Sequence, residues 1–161
     1  MEKQQQFEKI KQLLRDSHSE NDLEQQWFLK HAQSADARTF IATQKRFTHS
    51  ELQILSQLVV NDNVTTFKIL QQTSNLSQGM LSRYVNHLAQ LTLVEKFHPQ
   101  DNKKEISLRL TNLGEELGRL HCELHRRISA NEKQILGEYT EQEINTMLEI
   151  LSKLINARQH I

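Results

Sequence analysis

Apolar positions recur at helical spacing along nearly the whole chain. Phe7, Ile10 and Leu14 form a short stripe over residues 2–15. The polar run from Asp16 to Asp22 interrupts it and supplies capping residues for a new helix. Leu23, Trp27, Phe28 and His31 resume the period, which runs on toward Lys45. Thr48 begins a Thr-x-x-Glu capping box closed by Glu51. Leu52, Leu55, Leu58 and Val59 follow, predicting a helix over 49–60 that ends at Asn61, Asp62 and Asn63. Thr65 or Thr66 then caps a short helix carrying Phe67, Ile69 and Leu70. Ser77 starts another. In it Leu81, Val85 and Leu88 share one face, and Gln78, Gly79, Ser82, Arg83 and Asn86 share the opposite one, as a stripe turned to solvent or to a ligand must.

Only one stretch reads as β. Leu93–His98 and Glu105–Leu110 flank a turn holding the chain's single proline, Pro99, and Ile106, Leu108 and Leu110 alternate with Ser107 and Arg109. A two-stranded hairpin does not stand alone in water. Thr111 caps a long helix through Leu113, Leu117, Leu120, Leu124 and Ile128, predicted to pass Leu136 and to break at Gly137 and Tyr139. A second capping box, Thr140 to Glu143, opens a last helix with the stripe Ile144, Met147, Leu148, Leu151, Leu154 and Ile155. The predicted fold class is therefore mainly α with a small β-hairpin wing. It comprises N-terminal helices over 1–46 (1–18 an extension), a winged helix-turn-helix over 47–110 and C-terminal helices over 111–161. The flanking stripes are more than a module of this size covers. A homodimer is expected to bury them, with Trp27, Phe28, Leu148, Leu151, Leu154 and Ile155 as candidate interface residues.

Composition agrees with helix. Among 161 residues there are only four Gly and one Pro, too few for a turn-rich sheet protein. The formal net charge is zero, so electrostatics of the whole chain name no partner. The charge is modestly segregated: residues 65–110 hold six basic and three acidic groups, and residues 111–161 hold six basic and eight acidic. One cysteine, Cys122, excludes an internal disulfide and a multi-cysteine zinc site. No apolar run approaches the length of a membrane span, and MEKQQQFEKIKQ contains no hydrophobic signal region, so a cytoplasmic protein with no membrane partner is expected. No P-loop, dinucleotide-binding glycine pattern, G-x-S-x-G or H-E-x-x-H occurs, and an enzyme is not expected.

Several segments, in order, resemble the MarR family of bacterial transcriptional regulators. Phe47-Thr48-x-x-Glu51-x-Gln53-Ile54-Leu55 is similar to the opening of the family's second helix. The stretch Asn75–Leu88, with Ser77 at its start and the Ser82-Arg83 pair, resembles its recognition helix. Leu93–Lys96 followed by Pro99-x-Asp101-x-Lys103-Lys104 resembles its wing, and Leu110-Thr111-x-x-Gly114 the junction that follows. The likeness covers about residues 23–158. Two positions depart from it: Thr92 stands where the recognition helix ordinarily ends in Gly, and Lys103 where the wing ordinarily carries Arg. Lys, a strongly hydrated point charge, reads a narrow minor groove less well than Arg.

The resemblance implies a homodimeric, sequence-specific regulator of transcription, a repressor, bound to a pseudo-palindrome in double-stranded DNA and responsive to a small-molecule effector. Ser77, Gln78, Gly79, Ser82, Arg83 and Asn86 would face the major groove, and Lys103 and Lys104 the backbone or adjacent minor groove. The alternative is a protein-interaction module that kept the fold and lost DNA reading, for which Thr92, Lys103 and the weak net charge argue.

Eight histidines raise a further question. His121 and His125 sit at i, i+4 on one helix face, a spacing that clamps one Zn²⁺ through two imidazoles. A zinc-responsive branch of the same family carries such a pair here, together with an acidic residue and a histidine from the second helix. The corresponding positions in this chain are read as Leu52 and Gln53, which leaves the set incomplete. Further ligands would have to come from His31 or Glu24, and no cofactor is expected. Cys122 lies about 100° around the helix from His121 and is not expected to join.

Overall fold

A computed structural model of the chain describes residues 20–43 and 47–159, with positions 5, 8–10 and 13. Most of the stripe expected over residues 2–15, and the stretch 44–46, lie outside the described residues. The chain forms two units, residues 1–124 and residues 125–161.

In the first unit the helices are α1 (Glu20–His31), α2 (Ala35–Thr43), α3 (His49–Val60), α4 (Phe67–Thr73), α5 (Gln78–Gln90) and the first half of α6 (Asn112–Leu136). They accompany an antiparallel sheet of β1 (Val64–Thr66), β2 (Val94–Phe97) and β3 (Ser107–Leu110), with strand order β1-β3-β2. The mainly helical winged architecture predicted from the sequence is the one observed. The core joins Leu52, Leu55 and Leu58 of α3 to Leu81, Val85 and Leu88 of α5, to Leu93, to Leu108 of β3 and to Leu117 of α6. The expected capping box is present. Thr48 Oγ1 accepts from Glu51 N at 3.3 Å, and Glu51 Oε2 accepts from Thr48 N at 2.9 Å.

Two expectations need correction. The period through Leu23–His31 predicts one helix running toward Lys45, but the chain breaks at Ala32–Ser34. The break is capped from both sides. Ser34 Oγ accepts from Ala37 N at 3.0 Å, and Glu116 of α6 reaches across to accept from Gln33 N at 2.6 Å and Ser34 N at 3.0 Å. A carboxylate at the start of a helix satisfies donors that have no intrahelical partner. The second correction is a third strand. β1 pairs with β3 at Val64↔Arg109 and Thr66↔Ser107. Three residues are too few to show alternation, and Thr66 also serves as the α4 cap, accepting from Ile69 N at 3.2 Å. Asp62 and Asn63 enter β1 with φ of 55° and 67°, a left-handed conformation that Asp and Asn tolerate better than most residues.

The exit from α5 explains the departure at Thr92, which has φ of 57°. Thr92 N donates to Ala89 O and Leu93 N to Leu88 O, both at 3.0 Å, the paired bonds of a Schellman cap whose left-handed residue is usually glycine. A β-branched residue there costs about 1–2 kcal/mol, and the Thr92 carbonyl is held by Thr111 Oγ1 at 2.7 Å. Gly114 is required by a close approach. A Cβ at that position would stand 1.9 Å from Leu93 O. The root of the wing and the start of α6 are thus locked together.

The second unit holds the rest of α6 and α7 (Glu141–Gln159). Thr140 and Glu143 form the predicted second capping box, with Thr140 N donating to Glu143 Oε2 at 2.8 Å. Ile135, Leu136, Tyr139, Met147, Leu148 and Ile155 are all exposed.

Glu116 gives this fold a stated acid sensitivity. Partial burial pushes its carboxyl upward, but the hydrogen bonds from Ser34 and Gln33 and the nearby Arg38 outweigh it, and its net shift is below the ordinary value. A carboxylate lowered on folding contributes stability above its unfolded value, and that contribution is lost as pH falls through the folded one. Replacing Glu116 by Gln is expected to cost about 1 kcal/mol at neutral pH. Between pH 5 and pH 3 the wild-type chain should lose more stability than Glu116→Gln, measured by urea unfolding at each pH.

Candidate nucleic-acid interface and histidine cluster

Helix α5 owes its orientation to its buried stripe, Leu81, Tyr84, Val85 and Leu88. Ser77 caps it, its Oγ accepting from Met80 N at 3.3 Å. With that face packed inward, Gln78, Gly79, Ser82, Arg83 and Asn86 are all exposed, as is Ser77. No atom lies within 4 Å of a Cβ built on Gly79, so the backbone there is open to close approach. The guanidinium of Arg83 lies over the Tyr84 ring, 5.2 Å from its centroid. Asn86 Oδ1 accepts from Lys96 Nζ of β2 at 2.7 Å, which ties the helix to the wing.

The wing turn is built by its own polar residues. Asn102 N donates to Pro99 O at 3.2 Å, Glu105 N to Asn102 O at 3.1 Å, and Lys104 N to Asn102 Oδ1 at 3.2 Å. Lys103 and Lys104 are exposed at its tip. Arg109 on β3 stacks its guanidinium over Phe97, 4.7 Å from the ring centroid. The structure thus places all eight predicted contact residues on solvent-facing surface, six on or at the cap of α5 and two at the wing tip.

The candidate interface residues fall out differently. Phe28 is buried in the core of the first unit. Trp27 is half-buried and stacks on His31 with ring centroids 4.0 Å apart. In α7, Leu148 and Ile155 are exposed, and Leu151 and Leu154 are half-buried.

The second feature is a histidine cluster. His121 is buried, and its Nδ1 shares a 2.6 Å hydrogen bond with Ser56 Oγ of α3. Its Nε2 lies 3.8 Å from Glu24 Oε1 of α1. His49, the first residue of α3, brings its ring to 5.6 Å from that of His121. His125 follows one turn on in the same unbroken helix. The ligand atoms of His49, His121 and His125 lie within 4.8 Å of one another. Glu24 was one of the two residues named as a source of further ligands; the other, His31, instead bonds Trp27 O through Nδ1 at 2.8 Å. Leu52 and Gln53 are not the α3 contributors: Leu52 is packed in the core and Gln53 is exposed. The imidazole comes from His49, which the capping box sets at the helix start. The signal for it was the box itself, since Thr48 as cap makes the next residue the first of the helix.

An open groove of about 510 Å³ lies beside the cluster's helices, lined by His31, Gln33, Glu115, Glu116, Arg119 and Glu123 among others. Among the described residues no helix is long and apolar enough to cross a membrane.

No family model matches the chain. It is 28% identical over 103 residues to an uncharacterized HTH-type transcriptional regulator of Bacillus subtilis, YvnA, covering 64% of this chain and 65% of that protein. A second such regulator from the same organism, YhjH, is 28% identical over 102 residues, covering 63% of this chain and 58% of the relative. The chain thus spans less than two thirds of the length of either. Among solved structures it is similar to Lactococcus lactis ZitR, described as a zinc-responsive MarR family member, with TM-score 0.56, 15% identity and coverage of 93% and 96% of the two chains. A ZitR variant bound to DNA aligns with TM-score 0.54 and 15% identity over 71% of this chain and 77% of that one. The adhesin competence repressor AdcR of Streptococcus pyogenes aligns with TM-score 0.55 and 19% identity over 76% and 86%. These structures share the fold: the chain has the winged-helix architecture of MarR-type regulators. The relatives are transcriptional regulators rather than enzymes.

Proposed function

We propose that this chain is a homodimeric, DNA-binding transcriptional repressor. The observation that carries the reading is the outward polar face of α5 beside a wing tip with two lysines, which together match the two sites of contact a winged helix makes with a duplex. Gln78 suits adenine and Arg83 guanine or a phosphate, since each side chain forms two hydrogen bonds in the geometry of those groups. Ser77 and Ser82 suit phosphates, and Lys103 and Lys104 the backbone or minor groove flanking the site. The apolar residues exposed on α7 and late α6 support a second copy as the partner of that unit, because a monomer exposing so much of one face is disfavoured. Two copies would present two recognition helices to a pseudo-palindrome about one turn apart.

The histidine cluster favours a second reading, that the regulator responds to a divalent transition metal. Around a tetrahedral ion with bonds of 2.0–2.1 Å the donor atoms stand about 3.4 Å apart. Three imidazoles already within 4.8 Å need only small side-chain rotations to reach that spacing. His49, His121, His125 and Glu24 would hold the ion, a donor set suited to zinc and its neighbours rather than to calcium or magnesium. Ser56, on the far nitrogen of His121, would fix which nitrogen faces the ion, the ordinary role of a hydrogen-bonded partner behind a metal-binding histidine. The ion would supply charge and cross-linking among α1, α3 and α6.

Three measurements test these readings. In a selection of bound duplexes from a random pool, the wild-type chain should enrich an inverted repeat. Arg83→Ala should weaken binding to it about tenfold, a loss of about 1.4 kcal/mol. Equal binding by that variant is the outcome for a protein-interaction module. Sedimentation should give a dimer, and Leu148→Glu combined with Ile155→Glu a monomer with weakened DNA binding. A wild-type monomer at high concentration defeats the dimer. Titration with Zn²⁺ should bind one ion at the cluster and raise the melting temperature, about 2.7 kcal/mol of added stability at a free concentration 100 times Kd. Both effects should vanish in His49→Ala and His121→Ala. A response unchanged in those variants would remove the metal from the account.

A further inference from the structure

Lys96 is not among the predicted contact residues. It stands on β2, an edge strand of the sheet, in one row with Leu108 of β3 and Thr65 of β1. Leu108 and Thr65 are buried. Side chains alternate across a strand, so Lys96 leaves the sheet on its core side. At the edge it emerges beside α5, where its Nζ donates to Asn86 Oδ1 at 2.7 Å, and both side chains are exposed. A lysine on an edge strand also guards the sheet against pairing with other chains, but that duty sets no fixed place for the ammonium. Here it is held against the outward face of the recognition helix.

The bond decides what the pair has to offer. A lysine ammonium only donates, so the amide oxygen of Asn86 is the atom turned to it, and the NH₂ group faces away. Reading an adenine takes the oxygen and the nitrogen of an asparagine together, and in Asn86 the oxygen is turned to β2. Asn86 also stands nine residues beyond the Ser77 cap, whereas base edges meet the first turns of a recognition helix. Two N–H groups of Asn86 and two of Lys96 are left, with one positive charge among them. Among the described residues no further partner of either group is found. The complementary ligand is an anion with several acceptor oxygens.

The position of the pair says which anion. Strand β2 runs from the α5 exit at Leu93 to the turn that carries Lys103 and Lys104, so the pair lies between the helix and the wing tip. Neighbouring major and minor grooves of a duplex share one sugar–phosphate strand as their common wall. A chain with α5 in the major groove and its wing tip at the flanking minor groove straddles that strand. We infer that Asn86 and Lys96 form one phosphate-binding site for the shared strand, with Asn86 both donating to the phosphate and holding Lys96 in place. The inference rests on the DNA-binding reading above, and it moves Asn86 from the bases to the backbone.

The probe is a mixed-sequence duplex of about 30 base pairs, because phosphate contacts carry no sequence information. Anisotropy across a salt series reads the slope of log K against log salt. Lys96→Met keeps the stem and removes the charge, and it should reduce the slope by about 0.9 for each bound copy of the chain. Lys96→Gln gives the same reading if methionine on an edge strand makes the chain associate. Asn86→Ala should weaken binding too, and the double variant should lose less than the two single losses combined, since both residues serve one phosphate. In a selection from a random pool, Asn86→Ala should enrich the same repeat as the wild-type chain at every position. Additive losses, or a preference relaxed at one base pair in Asn86→Ala, would separate Asn86 from Lys96 and overturn the shared site. A slope unchanged in Lys96→Met and Lys96→Gln, with wild-type binding intact, overturns this inference alone. A wild-type chain that binds no duplex overturns the proposed function with it.

Discussion

The apolar stripe of α5 governs which way its other side chains face. Leu81, Val85 and Leu88 are fully enclosed, and Tyr84 nearly so. Each such side chain is worth about 1.5–3 kcal/mol of burial. Turning the helix by one residue would bring an enclosed leucine to solvent and drive a polar neighbour inward, at a cost comparable to the whole stability of a domain of this size. The outward position of Gln78, Gly79, Ser82, Arg83 and Asn86 is thus a consequence of packing. No local device is needed to display them. The same constraint leaves His87 at the shoulder of the exposed face, within reach of Glu51 on α3.

Around that helix the polar groups act as fasteners between elements. Glu51 joins α3 to α5, Lys96 joins β2 to α5 through Asn86, and Glu116 joins α6 to the start of α2. Of the three, Glu116 meets backbone donors that would otherwise lack a partner at a helix start, which is where such bonds contribute most. Net charge is zero, yet the residues that meet solvent at α5 and the wing tip carry mainly cations. That local arrangement matters to a polyanion, and a total over the chain does not reveal it.

Much of this was legible in the sequence, for identifiable reasons. The stripes at 52–59, 81–88 and 113–128 are long enough for their period to be unambiguous, and both capping boxes mark helix starts by residue type alone. The break at 32–34 was not legible, because its cap comes from Glu116, more than eighty positions away. Strand β1 was hidden by its length and by Thr66 doubling as a helix cap. Thr92 was seen to occupy a glycine's place, but its left-handed backbone depends on bonds to Leu88 and Ala89 that residue identity does not announce. The eight surface residues followed from one helical period and one turn. The histidine cluster followed only in part: His121, His125 and Glu24 were named, but His49 reaches His121 only through tertiary packing, and matching by position found Leu52 and Gln53, which left the set incomplete.

The pairing of β1 with β3 has a kinetic side. Val64 and Arg109 are about 45 residues apart, and the segment between them carries α4, α5 and the whole wing. Their ladder closes that segment into a ring, with an entropic toll met before any of its bonds form. That cost is better offset when the enclosed helices are already compact. Once the ladder has formed, α5 lies inside a closed segment, with no free end from which to fray. Slow amide exchange along α5 and along β3 would then share one opening event, because the ring rises and falls as a single cooperative body.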